Sequence, residues 1–319
     1  MGLLGVGASK TARAVALNPA VSRWAAARGV LRGESALGYI FVSPAFLYMA
    51  ALLVYPLALA IYFSVSTASV GDPAGKFIGL QNYADLFDNE VFRLALRNSF
   101  VFTFGSALVK GLLGTTLAFL LLRSFRGKRL IRGLIMLPWT VPIALTTLGW
   151  QWMFDPQFSV LNWTAIHLGL IHQGVNWLGT EPYAFIAVMT VNIWRGFPFT
   201  AIIILAGLTS VPTEILDSAR VDGAGFLTRY RKVIVPMIAP ILFVGLIFDV
   251  VFTFGDLSVV YLLTRGGPIN TTHILPTLAF QNGIQGGDLA SGSAIALFML
   301  PVLFVAVVAM LRLLKRRET

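Results

Sequence analysis

The stretch DSARVDGAGFLTRYRKVIVP, Asp217 to Pro236, concentrates acidic, basic and glycine residues in a chain that is otherwise mostly apolar. Of the 319 residues, 57% are hydrophobic and 12% are charged. Soluble domains have a charged fraction of about 25%. The composition therefore predicts an integral membrane protein, in which a polar stretch of this length lies outside the bilayer.

Six apolar segments are each long enough to cross the membrane as a helix, which takes about 20 residues. They are residues 38–66, 98–122, 133–154, 183–208, 237–263 and 290–311. The predicted fold is an all-α integral membrane protein whose six transmembrane helices form one domain over residues 38–311. Residues 1–37 precede it as a cytoplasmic segment, and residues 312–319 follow it as a cytoplasmic basic tail. Residues 11–32 fit either an amphipathic helix on the inner leaflet or a flexible tail.

Lysine and arginine are distributed unevenly along this succession of spans. The N-terminal segment, the links after the second and fourth spans and the C-terminal tail together hold 18 of them, whereas the three alternate links hold four. By the positive-inside rule, both termini and the polar stretch are cytoplasmic. The net charge of +10 then reports topology, and no nucleic-acid partner is needed to explain it.

Several kinds of chemistry lack the residues that they require. The chain has no Cys, which excludes disulfides, a thiol nucleophile and a Cys-ligated metal. It has no G-x-x-x-x-G-K-[ST] phosphate loop, so it is not expected to hydrolyse ATP itself. The three histidines, His167, His172 and His273, do not have the spacing of metal ligands, so no metal site is expected.

The link between the fourth and fifth spans, residues 211–236, predicts two short helices. The segment PTEILDSARVD shows the apolar spacing of the first helix, and FLTRYRKVI shows that of the second. Gly223 and Gly225 between them supply open backbone angles for a turn. A polar hairpin of this kind suits docking into a groove of a partner protein, although an ordinary cytoplasmic hairpin shows the same pattern.

The spacing within this link resembles the EAA motif of ABC importer permeases, which is Glu-Ala-Ala, three residues, Gly, nine residues, Ile, one residue, Leu-Pro. The opening positions are Asp217, Ser218 and Ala219, the glycine is Gly223, and the closing positions are Val233, Val235 and Pro236. Asp for Glu, Ser for Ala and Val for Ile and Leu are mild departures. The resemblance implies a coupling helix that inserts into a cleft of an ATPase subunit. It assigns that role to Asp217, Ser218, Ala219, Asp222 and Gly223, with Pro236 closing the motif.

Three further passages, FIGLQNYADLFDNEVFRLALRNSF, NIWRGFPFTAIIILAGLTSVP and the stretch that begins VVYLLTRGGPINTTH, resemble the maltose-type permeases for carbohydrate uptake. The resemblance covers nearly the whole chain from about residue 38 onward and implies a type I ABC importer permease of the bacterial inner membrane. It implies four kinds of protein partner or substrate: a second, different permease, two ATPase subunits that bind ATP and Mg, an extracytoplasmic substrate-binding protein, and a di- or oligosaccharide. Glycerol phosphates and other polyols use similar permeases.

Four ionisable residues lie inside the predicted spans, where such groups are costly and face the bundle interior or a cavity. They are Lys110, Arg195, Asp249 and Asp256. Carboxylates, amides and aromatic rings are the groups that recognise sugars. The predicted substrate path comprises Asn192, Trp194, Arg195, Phe197, Asp249, Phe252, Gly255 and Asp256. Of these, the resemblance itself implies Phe197, Phe252, Gly255 and Asp256.

Other roles remain open for the same groups. Arg195 and Asp249 could instead form an ion pair between two helices, and Lys110 could pair with a neighbour or extend towards the membrane surface. Pro198 can break the fourth span next to Arg195. Two buried acids disfavour a strongly anionic substrate, whereas Arg195 prevents its exclusion.

Two other classes of function compete with an importer subunit. A stand-alone proton-coupled carrier could use Asp249 and Asp256 as proton sites, but the inverted repeat typical of such carriers is not evident. A membrane enzyme with paired carboxylates needs a nucleophile or a metal beside them, and the sequence offers neither.

Overall fold

The computed structural model describes residues 34–318, with side chains over residues 38–312. Apart from an isolated β-bridge between Ser66 and Phe77, the regular structure in this range is helical. The helices are α1 Glu34–Ser64, α2 Gln81–Asp88, α3 Glu90–Phe100, α4 Ser106–Leu122, α5 Lys128–Ile135, α6 Leu137–Thr140, α7 Ile143–Met153, α8 Val160–His167, α9 Tyr183–Ser210, α10 Thr213–Val221, α11 Phe226–Arg229, α12 Val235–Phe254, α13 Ser258–Thr264, α14 Leu275–Phe280 and α15 Leu289–Glu318. Wider π-helical turns are Val101–Gly105, Tyr230–Ile234 and Gln281–Gln285.

Within the described residues, five helical segments are long and apolar enough to cross a membrane. They are Gly38–Ser64, Glu90–Leu122, Tyr183–Ser210, Phe226–Thr264 and Leu289–Arg312. A sixth crossing forms if the bent pair Lys128–Thr140 and Ile143–Met153 is counted as one span. The all-α fold with six spans is thus confirmed in outline.

The third predicted span is not a straight helix. Its two halves meet at 88°, and the break falls at Val141 and Pro142. A residue that precedes proline is forced out of the helical region, and Val141 has an extended backbone with ψ 137°. A prediction based on hydropathy over residues 133–154 did not take this local restriction into account.

The ends of other spans also differ from the prediction. The second helical segment begins eight residues earlier than expected, at Glu90, because the Oδ1 atom of Asn89 accepts the backbone N–H groups of Val91 and Phe92 at 2.8 and 3.2 Å. The last helix continues to Glu318, so the backbone of the predicted basic tail extends that helix. The predicted amphipathic or flexible segment 11–32 lies outside the described residues.

The chain divides into two compact units, Met1–Leu59 and Ala60–Thr319. The described part of the first unit is a helix with Pro44 inside it. All predicted site residues belong to the second unit, which contains three apolar clusters. Its helices approach closely where residues are small: a Cβ atom added to Gly114 of α4 would lie 3.1 Å from the backbone nitrogen of Ala201 in α9.

The LLTRGGP stretch forms a tightly packed link after α13. Gly266 has φ +90°, and an added Cβ would lie 2.1 Å from the ring of His273. The backbone oxygen of His273 accepts the Nδ2–H of Asn98 at 3.0 Å, and its Nδ1 atom lies 3.0 Å from the hydroxyl of Thr277. Burial of His273 lowers the pKa of its imidazole, against a smaller opposing effect of Gln281. The link is therefore fixed to the second span around a neutral histidine.

Candidate functional site

The polar loop, residues 211–236, begins with α10 and a specific type of helix ending. The N–H of Ala224 bonds to the carbonyl of Ala219 and the N–H of Gly223 bonds to that of Arg220, each at 3.0 Å. This pairing is a Schellman motif and requires a left-handed residue at its centre. Gly223 has φ +76° and fills that position. Gly225 has φ −64°, so the prediction that both glycines supply open angles is wrong for Gly225.

The predicted second short helix is not separate from the fifth span. From Phe226 the chain runs through the π-helical turn Tyr230–Ile234 into α12 as one continuous helical segment. Pro236 lies in the first turn of α12, directly after the wider turn. Proline has no N–H to donate, and a helix tolerates it best in a first turn.

The surface of the polar loop combines charged and apolar side chains. Asp217, Ser218 and Asp222 are exposed, and Asp217 forms a surface ion pair with Arg220. Val221 is 88% exposed and Phe226 is 62% exposed, which is unusual for groups of this kind on a surface in contact only with water. The loop thus exposes both apolar and acidic side chains.

The inner side of the loop is fixed to the ends of the spans. The rings of Phe226 and Tyr230 pack against Phe119 of the second span at 5.6 and 5.5 Å between centroids. Leu216 packs against the apolar cluster formed by the second, fourth and fifth spans, which contains Ile234. The inner side of the loop is therefore packed against the ends of those spans.

Inside the spans, Lys110 rather than Arg195 neutralises Asp249. The Nζ atom of Lys110 lies 2.8 Å from Oδ1 of Asp249 and 2.9 Å from Oγ1 of Thr253, and the lysine is 2% exposed. A Cβ atom on Gly196 would lie 2.7 Å from Cε of Lys110. The proposed Arg195–Asp249 pair is therefore wrong, because glycine at position 196 leaves room for Lys110 to pass the fourth span. The expectation that Lys110 pairs with a neighbour is confirmed.

Both oxygens of Asp256 already have partners within the chain. Its Oδ1 atom accepts the backbone N–H groups of Ser258 and Val259 at 2.9 and 3.3 Å, which caps α13. Its Oδ2 atom accepts an Nδ2–H of Asn192 at 3.3 Å. Asp256 lies just beyond the end of α12, after the exposed Gly255, so it joins the fourth span to the start of α13.

Two buried polar atoms on the fourth span have no partner among the described residues. They are Oδ1 of Asn192 and Nε of Arg195. Asn192 is 5% exposed. Residues three apart lie on the same face of a helix, so these two atoms belong to one side of α9.

The aromatic residues of the predicted path lie in different surroundings. Trp194 contacts Trp150 of α7 edge to face, with 5.5 Å between ring centroids. Phe252 is 68% exposed and stacks on Phe248 at 6.0 Å, and Phe197 is half-buried.

The predicted break at Pro198 is wrong, because α9 is continuous from Tyr183 to Ser210. The proline still deprives the carbonyl of Trp194 of an intrahelical donor.

A cavity of about 400 Å³ lies between α4, α9 and α12. It is mostly apolar, and of the predicted path residues it contacts only Asp249. Its lining is Phe104, Ala107, Leu108, Gly111, Leu112, Thr115, Thr200, Ile203, Ile204, Leu242, Gly245, Leu246 and Asp249. This lining suits a hydrocarbon chain or an apolar helix better than a sugar.

A second cavity, of about 630 Å³, was missed by the sequence analysis. It lies beside the start of α3 and the turn Gln281–Gln285 and is rich in carboxamides. Its lining is Asn89, Val91, Asn270, Leu278, Gln281, Asn282, Gln285, Gly286 and Asp288. The sequence feature that could have predicted this cavity is the density of amide residues in QNGIQGGD, directly before the sixth span.

The described residues contain no group of three or more His, Asp or Glu side chains that could hold a metal ion.

The apolar spans, the exposed polar loop and the charged groups inside the bundle define a multi-pass membrane transport subunit. Residues 110–319 match the family model described as "Binding-protein-dependent transport system inner membrane component", and the chain belongs to this family. It is a transporter subunit of the inner membrane, and ATP hydrolysis in such importers resides in separate subunits.

Two relatives align over most of their length. The trehalose/maltose transport system permease protein MalF of Thermococcus litoralis is 30% identical over 276 residues, 86% of this chain and 92% of the relative. The sulfoquinovosyl glycerol transport system permease protein SmoG of Agrobacterium fabrum is 30% identical over 289 residues, 90% of this chain and 92% of the relative.

A solved structure has the same fold. It is that of a bacterial ABC transporter involved in the import of the acidic polysaccharide alginate, with a TM-score of 0.75 and 21% identity. The match covers 92% of this chain and 99% of that one. At this level of identity the match concerns the fold.

Proposed function

We propose that this chain forms the membrane pathway of an ATP-driven carbohydrate importer and is moved by ATPase subunits that bind its polar loop. In this proposal residues 38–311 are the permease domain, and the substrate is a di- or oligosaccharide delivered by an extracytoplasmic binding protein. The observation that supports it most is the helix ending at Gly223, which places the EAA-like positions on an exposed helix joined to three spans.

The stand-alone proton-coupled carrier is wrong as an alternative. The chain belongs to a family of importer subunits. In addition, Lys110 holds Asp249, one of the two acids that such a carrier would need for protons.

The membrane orientation follows from charge. With 18 Lys and Arg residues on one set of segments and four on the other, both termini and the polar loop lie on the cytoplasmic side. This is the side on which ATPase subunits have access to ATP.

A second, different permease completes the pathway in this proposal. One chain of this kind leaves an apolar groove open between α9 and α12, lined by residues such as Phe199, Ile203, Val244 and Phe248. Another permease that covers this groove would place the polar face of α9 at an interface between two bundles, where a pathway can close on both sides of the membrane.

The proposed substrate path retains all eight predicted residues, with different tasks. Asn192, Arg195 and Trp194 contact the substrate, and Asp256 orients Asn192. Asp249 holds Lys110 and borders the path without contacting substrate. Phe197, Phe252 and Gly255 provide the apolar surface on which a sugar ring lies.

The names of the relatives cover different kinds of carbohydrate. One relative is named for trehalose and maltose and another for sulfoquinovosyl glycerol, and the solved structure concerns an acidic polysaccharide. They support a carbohydrate as the substrate and leave its charge undecided.

Co-purification tests the proposal directly. A tagged chain is expressed with the ATPase, permease and binding-protein genes that neighbour it, and the solubilised complex is assayed for saccharide-stimulated ATP hydrolysis. The variant Gly223→Pro should release the ATPase, because proline cannot adopt φ +76°, whereas Gly225→Ala should retain it. Purification of the unchanged chain without an ATPase would contradict the proposal.

A further inference from the structure

We infer that the substrate of this importer carries an anionic group next to hydroxyl groups, and that Arg195 binds the anionic group inside the membrane. This inference rests on the proposed function, since it assigns a substrate class to the proposed path. The anionic group can be a carboxylate, a sulfonate or a phosphate, because each offers two oxygens to a guanidinium.

The two intramembrane acids, Asp249 and Asp256, both have partners within the chain. Asp249 is neutralised by Lys110 at 2.8 Å. Asp256 is occupied by two backbone N–H groups and by the amide of Asn192. The argument from sequence that two buried acids disfavour an anionic substrate is therefore weakened: Asp249 is neutralised, and Asp256 keeps its negative charge while both of its oxygens already accept hydrogen bonds.

Arg195, unlike the two acids, lacks a partner within the described residues. Of the four ionisable residues inside the predicted spans, it alone forms neither an ion pair nor a hydrogen bond with the described residues, and its Nε atom is buried. Arg195 as a whole is half-buried, so part of its guanidinium is accessible, and guanidinium groups remain charged in proteins. The guanidinium of Arg195 therefore still lacks an acceptor, and an anionic group of a substrate in the path can supply one.

Asn192 adds a second condition, which distinguishes a sugar acid from a simple anion. Its Nδ2 group donates to Asp256, and a carboxylate only accepts, so the orientation of the amide is determined by its partner. The remaining Oδ1 atom is a buried acceptor without a donor. A fully deprotonated inorganic anion has no proton to donate to it, whereas a hydroxyl group can donate one.

The spacing of the two residues fits one ring. Residues three apart on a helix have Cβ atoms about 5–6 Å apart, which is close to the width of a sugar ring. A hydroxyl group on one side of the ring donates to Asn192, and an acidic substituent on the other side accepts from Arg195. Trp194, which directly precedes Arg195, packs edge to face against Trp150. In this arrangement Trp194 borders the path on the side of the bundle.

The test uses the complete importer in proteoliposomes with its own binding protein. Uptake is measured for matched pairs of probes, each a neutral saccharide and the same saccharide with an acidic group: a disaccharide with its C6 uronate, and a glycerol glycoside with its 6-sulfonate. The binding protein is identical in every assay, so a change in the ratio of acidic to neutral uptake between variants reports on the permease. Variants are Arg195→Gln, Arg195→Lys and the control Arg93→Gln, which removes an exposed charge outside the bundle.

The expected result is preferential uptake of acidic probes by the unchanged importer. Arg195→Gln should lower the ratio of acidic to neutral uptake at least tenfold, the size expected for loss of one charge-assisted hydrogen bond. Arg195→Lys should restore part of it, and Arg93→Gln should leave it unchanged.

Four outcomes overturn the inference. Preferential uptake of neutral probes, or an unchanged ratio in Arg195→Gln, shows that Arg195 does not select an anion. Loss of the second permease on purification of Arg195→Gln shows that Arg195 binds that subunit and not a substrate. Absence of stimulated ATP hydrolysis with every probe, while the chain purifies alone, shows that the proposed function itself is wrong.

Discussion

The polar loop and the interior of the bundle each contain one ion pair between a basic residue and an aspartate, in opposite environments. Asp217 and Arg220 are three residues apart on α10, and their side chains are about 60% exposed. Lys110 and Asp249 are 139 residues apart, and their side chains are 3% and 14% exposed. An exposed pair contributes little because water screens it, whereas a buried pair cannot lose one member without leaving a bare charge in the interior. The charge of the loop pair is thus available for recognition, whereas the Lys110–Asp249 pair maintains the structure of the bundle.

The largest effect is expected from the variant Asp249→Ala. Removal of the carboxylate leaves Lys110 charged and buried, which should destabilise the protein by about 3–5 kcal/mol. Thermal unfolding of the purified complex in detergent measures the loss. The double variant Lys110→Met with Asp249→Leu should recover most of it, since replacing both charges removes the imbalance. Equal unfolding temperatures for Asp249→Ala and the unchanged protein would show that the buried ion pair contributes no more to stability than the exposed pair in the loop.

A smaller, local effect is expected from the variant Gly223→Ala. An added Cβ meets no atom within 4 Å, so the change acts only through the left-handed backbone, at about 1–2 kcal/mol. Affinity for the ATPase should fall roughly tenfold, which corresponds to about 1.4 kcal/mol. The matched control Gly225→Ala also meets no atom but has φ −64°, and it should bind normally. Equal weakening by both variants would show that the turn is not what positions the helix.

A pH effect is expected from His273, a buried group that lies outside the spans. Burial lowers its folded pKa below the unfolded value of about 6.5, so the unfolded chain binds the proton more readily. The corresponding contribution to stability is complete above pH 6.5 and decreases as the pH falls below it. Its slope is at most that of one proton, about 1.4 kcal/mol per pH unit. Unfolding temperatures from pH 8 to 5, compared with those of His273→Gln, measure this slope, and identical profiles would contradict the assignment.

The smallest effect is expected from the variant Asp217→Asn. The exposed pair with Arg220 contributes at most about 1 kcal/mol, so the unfolding temperature should stay within a degree or two of the unchanged protein. Any clear effect should appear in ATPase binding, measured by co-purification. A marked loss of thermal stability would mean that loop and bundle charges do not differ in the way proposed.

Local spacing explains how much of the polar loop could be predicted. The interval from Ala219 to Gly223 is a property of consecutive residues, and the helix ending at Gly223 follows from it directly. The separate conformation of Gly225 could not be foreseen, because glycine is compatible with both backbone regions.

The partners inside the bundle depend on packing that sequence does not reveal. Asp249 had two basic residues as candidates, Lys110 and Arg195, and the choice was decided by the space that Gly196 leaves at the crossing of two helices. In the same way, hydropathy predicted the third span but not its 88° bend, which comes from the restriction that Pro142 imposes on Val141.

The continuous helical segment from Phe226 to Phe254 also determines how far a small movement reaches. Asp249 lies 23 positions beyond Phe226, so at 1.5 Å per residue the distance along the axis is about 35 Å. If the segment tilts as a rigid rod, a rotation of about 5° at the loop displaces the far end by about 3 Å, roughly the length of one hydrogen bond. In the proposed importer, a small displacement of the base of the fifth span by the ATPase would then make or break contacts around Asp249.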